Sequence, residues 1–131
     1  STVARRICTA LSVGKAGSFP MAVEITLQDR TLVAVLDGEI DHHCAQPMRT
    51  AIDEKITAYQ PEVLVLDFAG VTFMDSSGIG VLLNRYKQMK AGHTSFYGAC
   101  PQVMRVLKVA GILGLMHQYE SKEEAIYSRE V

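Results

Sequence analysis

The run Val63-Leu64-Val65-Leu66-Asp67-Phe68 constrains this chain most. Apolar side chains fall on both sides of it, so a strand built from it has no face to give to water. Thr31 to Leu36, TLVAVL, has the same character. Strands covered on both faces belong to parallel sheets with helical cover, and the intervening sequence supplies the helices. Ala45, Met48, Ile52 and Ile56 recur at spacings of three and four and predict a helix over about 44–59, ended by Gln60-Pro61. Ile79, Leu82, Leu83, Tyr86 and Met89 form a second stripe, with Arg85 and Lys87 outside it and Gly92 as its natural stop. Pro101 opens a third helix, with Val103, Val106, Leu107 and Ala110 inward and Gly111 as its end. Ser121-Lys122-Glu123-Glu124 fits a capping box for a fourth.

Further strands are predicted at 22–27, where Val23, Ile25 and Leu27 share a face, at 95–99 and at 115–119. A polar loop is expected over 37–45 and a short loop over 69–75. The order β-β-α-β-α-β-α-β-α predicts a single α/β domain with a mixed, mostly parallel sheet.

Length and charge narrow the function. A chain of 131 residues suits one domain. Its net charge of −1 leaves no basic surplus for a phosphate backbone, which argues against nucleic acid, and there is no polybasic membrane anchor. No apolar run nears the ~18 residues of a membrane span, so no membrane insertion is expected. Cys8, Cys44 and Cys100 are odd in number and lack redox or metal spacing, which fits a reducing, cytoplasmic setting. Near-zero charge without an obvious apolar patch favours a monomer. Residues 1–20 read as an N-terminal extension or an added segment, because Thr9, Ser12 and Gly14 break any signal-like apolar stretch. The domain proper is expected over 21–131.

Two segments can carry chemistry. Phe73-Met74-Asp75-Ser76-Ser77-Gly78-Ile79-Gly80 joins a buried strand to an amphipathic helix, where α/β proteins place their sites. On the bland reading Asp75, Ser76 or Ser77 caps the helix, and Gly78 and Gly80 permit close packing. On the functional reading one serine accepts a phosphate beside the positive end of the helix dipole. Gly38-Glu39-Ile40-Asp41-His42-His43 is the second segment. Its acids and imidazoles resemble metal ligands, but further ligands are lacking apart from Asp67 and Asp75. The bland alternative has Asp41 capping the next helix with the histidines on the surface. A hydrolase built on Ser76 departs from G-x-S-x-G, and His93 and His117 lack an orienting acid. Cys44 and Cys100 read as small buried apolar residues.

Together, G-E-I-D-H-H-C-A at Gly38–Ala45 and F-M-D-S-S-G-I-G-V-L-L-N-R-Y-K-Q at Phe73–Gln88 resemble the STAS-domain anti-sigma factor antagonists, nearest the sporulation branch. The likeness continues through P-x-V-x-R-V-L-K-x-x-G at Pro101–Gly111. The resemblance implies a mixed sheet with helices largely on one side, and a regulatory binding protein rather than an enzyme, with no cofactor. It implies that the bare protein binds an anti-sigma factor with serine kinase activity and so releases a sigma factor. Phosphorylation would fall on Ser76, and a PPM-type serine phosphatase would reverse it. Asp41, His42, Asp75, Ser77 and Gly78 would touch the partner. Cys44 departs from the usual threonine or alanine and is expected to weaken the helix cap. The alternative is a STAS module of a general-stress, scaffold or nucleotide-sensing complex.

Overall fold

The computed structural model describes residues 4–5, 11–13, 21–89 and 93–127. Strands β1 (Ala4–Arg5) and β2 (Leu11–Val13) precede β3 (Met21–Gln28) and β4 (Thr31–Ile40). Helix α1 (Ala45–Tyr59), β5 (Val63–Met74), α2 (Ser76–Met89), β6 (Thr94–Tyr97) and α3 (Pro101–Val109) follow. A 3-10 turn (Ile112–Gly114), β7 (His117–Tyr119) and α4 (Lys122–Tyr127) complete the chain. From β3 onward the predicted order of elements holds. Gly92 lies outside the described residues.

The sheet runs β1-β3-β4-β5-β6-β7, with β2 also paired to β3. β3 and β4 form an antiparallel hairpin, and Asp29 in its turn takes a left-handed φ of 55°. β4 to β7 are mutually parallel. The two short strands pair antiparallel with β3 and place part of the 1–20 segment on the sheet's edge.

Period-2 alternation sorts the strand residues onto two faces. Ile25, Leu36, Leu64, Leu66, Phe68 and Phe96 face α1, α2 and α3 in the larger core. Val33, Val63, Val65 and Tyr97 face the other way, where α4 covers them with Ala125. Three helices on one face and one on the other is the cover that the apolar runs required. Removing such side chains from water contributes roughly 1.5–3 kcal/mol each. Helix α1 ends as predicted: Gln60 turns left-handed (φ 44°) and donates its N–H to the Ile56 carbonyl at 2.8 Å.

Four expectations fail locally, the last being Ala110, which is exposed at the C-terminal end of α3 rather than inward. The polar stretch Asp37–Ile40 is the end of β4, and Ala69–Met74 is the end of β5. The two ends pair in parallel as far as Ile40↔Met74, across register shifts at Val35/Asp37 and Gly38/Glu39. Glycines at 38 and 70 hid this from the hydrophobic pattern. Gly38 sits at φ 102°, and a Cβ on Gly70 would lie 2.8 Å from Asp37 Oδ1. The third failure is Arg85, read as facing solvent but buried between α2 and α1. Its Nε lies 2.8 Å from Asp53 Oδ1. The pair is close but poorly aligned, and Arg85 Nη1 has no hydrogen-bond partner among the described residues. Among the described residues, no helix is long and apolar enough to cross a membrane.

Candidate functional site

The extension of β4 and β5 brings the two motifs together. Both strands end at the same edge of the sheet, and the Asp75 N–H donates to the Ile40 carbonyl at 3.1 Å. The Asp41 loop and the first turn of α2 therefore leave adjacent parallel strands side by side.

Asp75 is the capping residue of α2. Its Oδ1 accepts the Ser77 N–H at 2.8 Å, and its carbonyl accepts the Gly78 N–H at 3.1 Å. This settles which of the three candidates caps the helix, and it separates the two serines. Ser77 is half-buried with its N–H engaged, whereas Ser76 is exposed. The Ser76 hydroxyl makes no hydrogen bond among the described residues. Gly78 is buried against β4 and β5: an added Cβ would lie 2.6 Å from Met74 Cγ and 3.0 Å from Ile40 Cγ2. Gly80 differs from its expected role, since a Cβ there would meet nothing within 4 Å.

In the neighbouring loop Asp41 organises the entry to α1. Its Oδ1 accepts the His43 N–H at 2.9 Å and lies 3.6 Å from His43 Nδ1, while its carbonyl accepts the N–H groups of Cys44 and Ala45. Desolvation pushes the carboxyl up, but the hydrogen bonds and ring of His43 outweigh it and hold Asp41 below its ordinary value. The helix cap is Cys44, which makes no side-chain cap bond. Its buried thiol instead bonds the Glu39 carbonyl at 3.3 Å and accepts the Asp41 N–H at 3.3 Å. Burial raises its pKa. His42 and His43 are both exposed, with ring centroids 3.9 Å apart.

Other candidates lie elsewhere. His93 precedes β6 and His117 opens β7, so both sit at the opposite end of the parallel strands from Ser76. Asp67 accepts the Tyr97 hydroxyl at 2.6 Å and the Ala69 N–H at 2.8 Å. Among the described residues no cluster of three or more His, Cys, Asp or Glu is placed to hold a metal ion.

Sequence reasoning passed over Gln102. From the first turn of α3 its Oε1 accepts the Met74 N–H at 3.1 Å, and its Nε2 faces the Met74 carbonyl at 3.4 Å. Nothing in its local pattern marks it, because the contact joins residues 28 apart.

The STAS-domain family matches residues 22–125. An anti-sigma F factor antagonist of Paenibacillus polymyxa is 35% identical over 113 residues, covering 85% of this chain and 97% of that protein. The solved structure of the anti-sigma factor antagonist SpoIIAA in its unphosphorylated form superposes with a TM-score of 0.74 at 31% identity, over 83% of this chain and 97% of that one. The phosphorylated form of the Bacillus cell-fate determinant SpoIIAA gives a TM-score of 0.64 at 28% identity, over 83% and 99%.

Proposed function

This chain belongs to the STAS-domain family, and we propose that within it the chain acts as an anti-sigma factor antagonist switched by a phosphate on Ser76. It is a regulatory binding protein, not an enzyme. In its bare form it binds an anti-sigma factor that is also a serine kinase, and the sigma factor held by that partner is released. The kinase transfers the terminal phosphoryl group of ATP to the Ser76 hydroxyl, leaving ADP. A PPM-type serine phosphatase hydrolyses the ester and restores the bare serine. The setting is the cytoplasm and the branch is sporulation.

One observation carries the reading. Ser76 is the exposed, unengaged hydroxyl of the pair, standing beside a carboxylate that already caps the helix. A phosphate there adds about −1.5 to −2 charges at pH 7. Asp75 occupies the Ser77 N–H, so the first turn has less to offer the new charge. A partner lying against Ser76 would have to strip the phosphate of water beside Asp75. Losing ~3 kcal/mol of binding energy in this way weakens affinity more than a hundredfold. Asp41 and His42 on the adjacent loop, with Asp75, Ser77 and Gly78, form the proposed contact surface.

The test is incubation with an anti-sigma factor kinase and ATP, followed by mass spectrometry of the peptide containing Ser76. One phosphate is expected on Ser76, and none in Ser76→Ala, which should bind the partner permanently. Phosphate on Ser77, or on the Ser76→Ala protein, overturns the assignment.

A further inference from the structure

We propose that Gln102 is a positioning residue for Ser76: its side-chain amide stands in for a missing strand and fixes the last residue of β5, two positions before the serine. The inference rests on Ser76 being the phosphoacceptor.

The sheet explains why such a residue is needed. On one side, β5 is paired with β4 as far as Ile40↔Met74. On the other, its pairing with β6 stops at Asp67↔Tyr97. The last seven residues of β5 thus project beyond β6 with one edge lacking a strand. Met74 lies at the tip of that projection and is almost fully buried. A buried peptide group without partners is costly, so its N–H and carbonyl need a substitute for the strand.

Gln102 supplies it. A primary amide carries the same donor and acceptor pair as a peptide, and this one faces both groups of Met74. The chain is steered there by two local features. Gly98 turns left-handed (φ 81°) so close to β5 that a Cβ would lie 3.0 Å from the Ala69 nitrogen. Pro101 then opens α3 directly, with Val103 anchored in the core. Met74 is held on the opposite side through its neighbour, since the Asp75 N–H bonds Ile40. The start of α2 is therefore clamped from two elements, and only the α3 clamp is a single side chain. With it absent, β5's tip is held by β4 alone, which gives the Ser76 hydroxyl more room to shift. A shift of this kind acts on phosphoryl transfer through orientation, which is steeply sensitive to small displacements.

Two variants separate positioning from mere stability. Gln102→Met keeps length and apolar contact but removes both hydrogen bonds. Gln102→Glu keeps the acceptor for the Met74 N–H and, at neutral pH, sets an oxygen against the Met74 carbonyl. Both are assayed well below their melting temperatures for amide-exchange protection at Met74 to Ser77, and for kcat and KM of phosphorylation by an anti-sigma factor kinase with ATP. The expected result for Gln102→Met is about tenfold lower protection at Met74 and about tenfold lower kcat, with KM within about twofold. Gln102→Glu should regain protection as pH falls through about 4, where a glutamate takes up its proton and the carboxyl can donate again. Gln102→Glu retains one bond and carries the same test should Gln102→Met fail to fold. Wild-type kcat in the variants, with or without a fall in melting temperature, overturns the inference while leaving Ser76 as the phosphoacceptor. A wild-type protein that takes no phosphate on Ser76 overturns both.

Discussion

Replacing Gly78 by alanine should destabilise the protein, and the same change at Gly80, two residues along the same helix, should stabilise it. The added methyl of Gly78→Ala would lie 2.6 Å from Met74 Cγ, 2.8 Å from Met74 Sδ and 3.0 Å from Ile40 Cγ2. Carbon atoms pack best at about 3.5–4.0 Å, so α2 must lift or Met74 must turn. Neither is free, because Met74 is 1% exposed and Ile40 fully buried. Overpacking costs about 1–3 kcal/mol, and three simultaneous contacts put this case near the upper end. Alanine's helix preference over glycine returns about 1 kcal/mol, leaving a net loss of ~2 kcal/mol. In a domain of this size that lowers the melting temperature by roughly 8 °C. At Gly80 the methyl meets nothing within 4 Å, so only the helix preference remains. There the expected gain is about 1 kcal/mol, or roughly 4 °C. Thermal and urea unfolding of the two variants beside wild type decide the matter. A Gly78→Ala protein as stable as wild type, or a pair of variants shifted in the same direction, would refute the packing argument.

Three further outcomes follow from the same geometry. Asp53→Ala leaves Arg85, 5% exposed, as a buried cation, and should cost about 3 kcal/mol in urea unfolding, whereas Asp53→Leu with Arg85→Met should recover most of it. Tyr97→Phe removes the 2.6 Å bond to Asp67 and should cost about 1.5–3 kcal/mol. Burial first, then Asp67, raises the Tyr97 pKa, so the folded state keeps a proton that the unfolded state gives up. Wild-type stability should accordingly fall as pH climbs above about 10, and it should fall less in Tyr97→Phe. Asp41 has the opposite sign: its lowered pKa contributes stability above the unfolded carboxylate value that is lost on acidification through about pH 4, and an Asp41→Ala protein should show a shallower acid limb in urea titrations from pH 6 to 3.

The fold was legible where burial alone decides. VLVLDF and TLVAVL had to be covered strands, and the three- and four-residue spacings of α1 to α3 supplied the cover. Legibility ended where backbone pairing overrides the hydrophobic pattern. Asp37–Ile40 and Ala69–Met74 carry polar residues and glycine, and they are strands because they pair with each other. Arg85 was misread because its charge is matched by Asp53, 32 positions away on another helix. The candidate site was half legible. Asp-Ser-Ser marks a cap in any sequence, but which residue caps and which hydroxyl stays free depends on the Asp75–Ser77 bond. Gln102 was invisible because its partners are peptide groups of Met74, which no side-chain pattern encodes.

The supports around Met74 and Gly78 bear directly on how a phosphate at Ser76 can act. A switch by charge alone requires the modified residue to stay where it is, so that the added charge meets the partner rather than moving away from it. Around Ser76 the support is rigid on every side described: β4 through Ile40, α3 through Gln102, and the Gly78 contact that leaves no space beneath α2. The cap is already taken by Asp75, so the phosphate cannot replace a weaker partner and refold the first turn around itself without displacing a carboxylate. Bare and phosphorylated forms should therefore share one backbone, and the loss of partner binding should appear as electrostatic repulsion and desolvation. Superposing structures of the two forms checks this. A rearranged first turn of α2 in the phosphorylated form would mean that the switch is conformational and that rigidity at Met74 serves some other end.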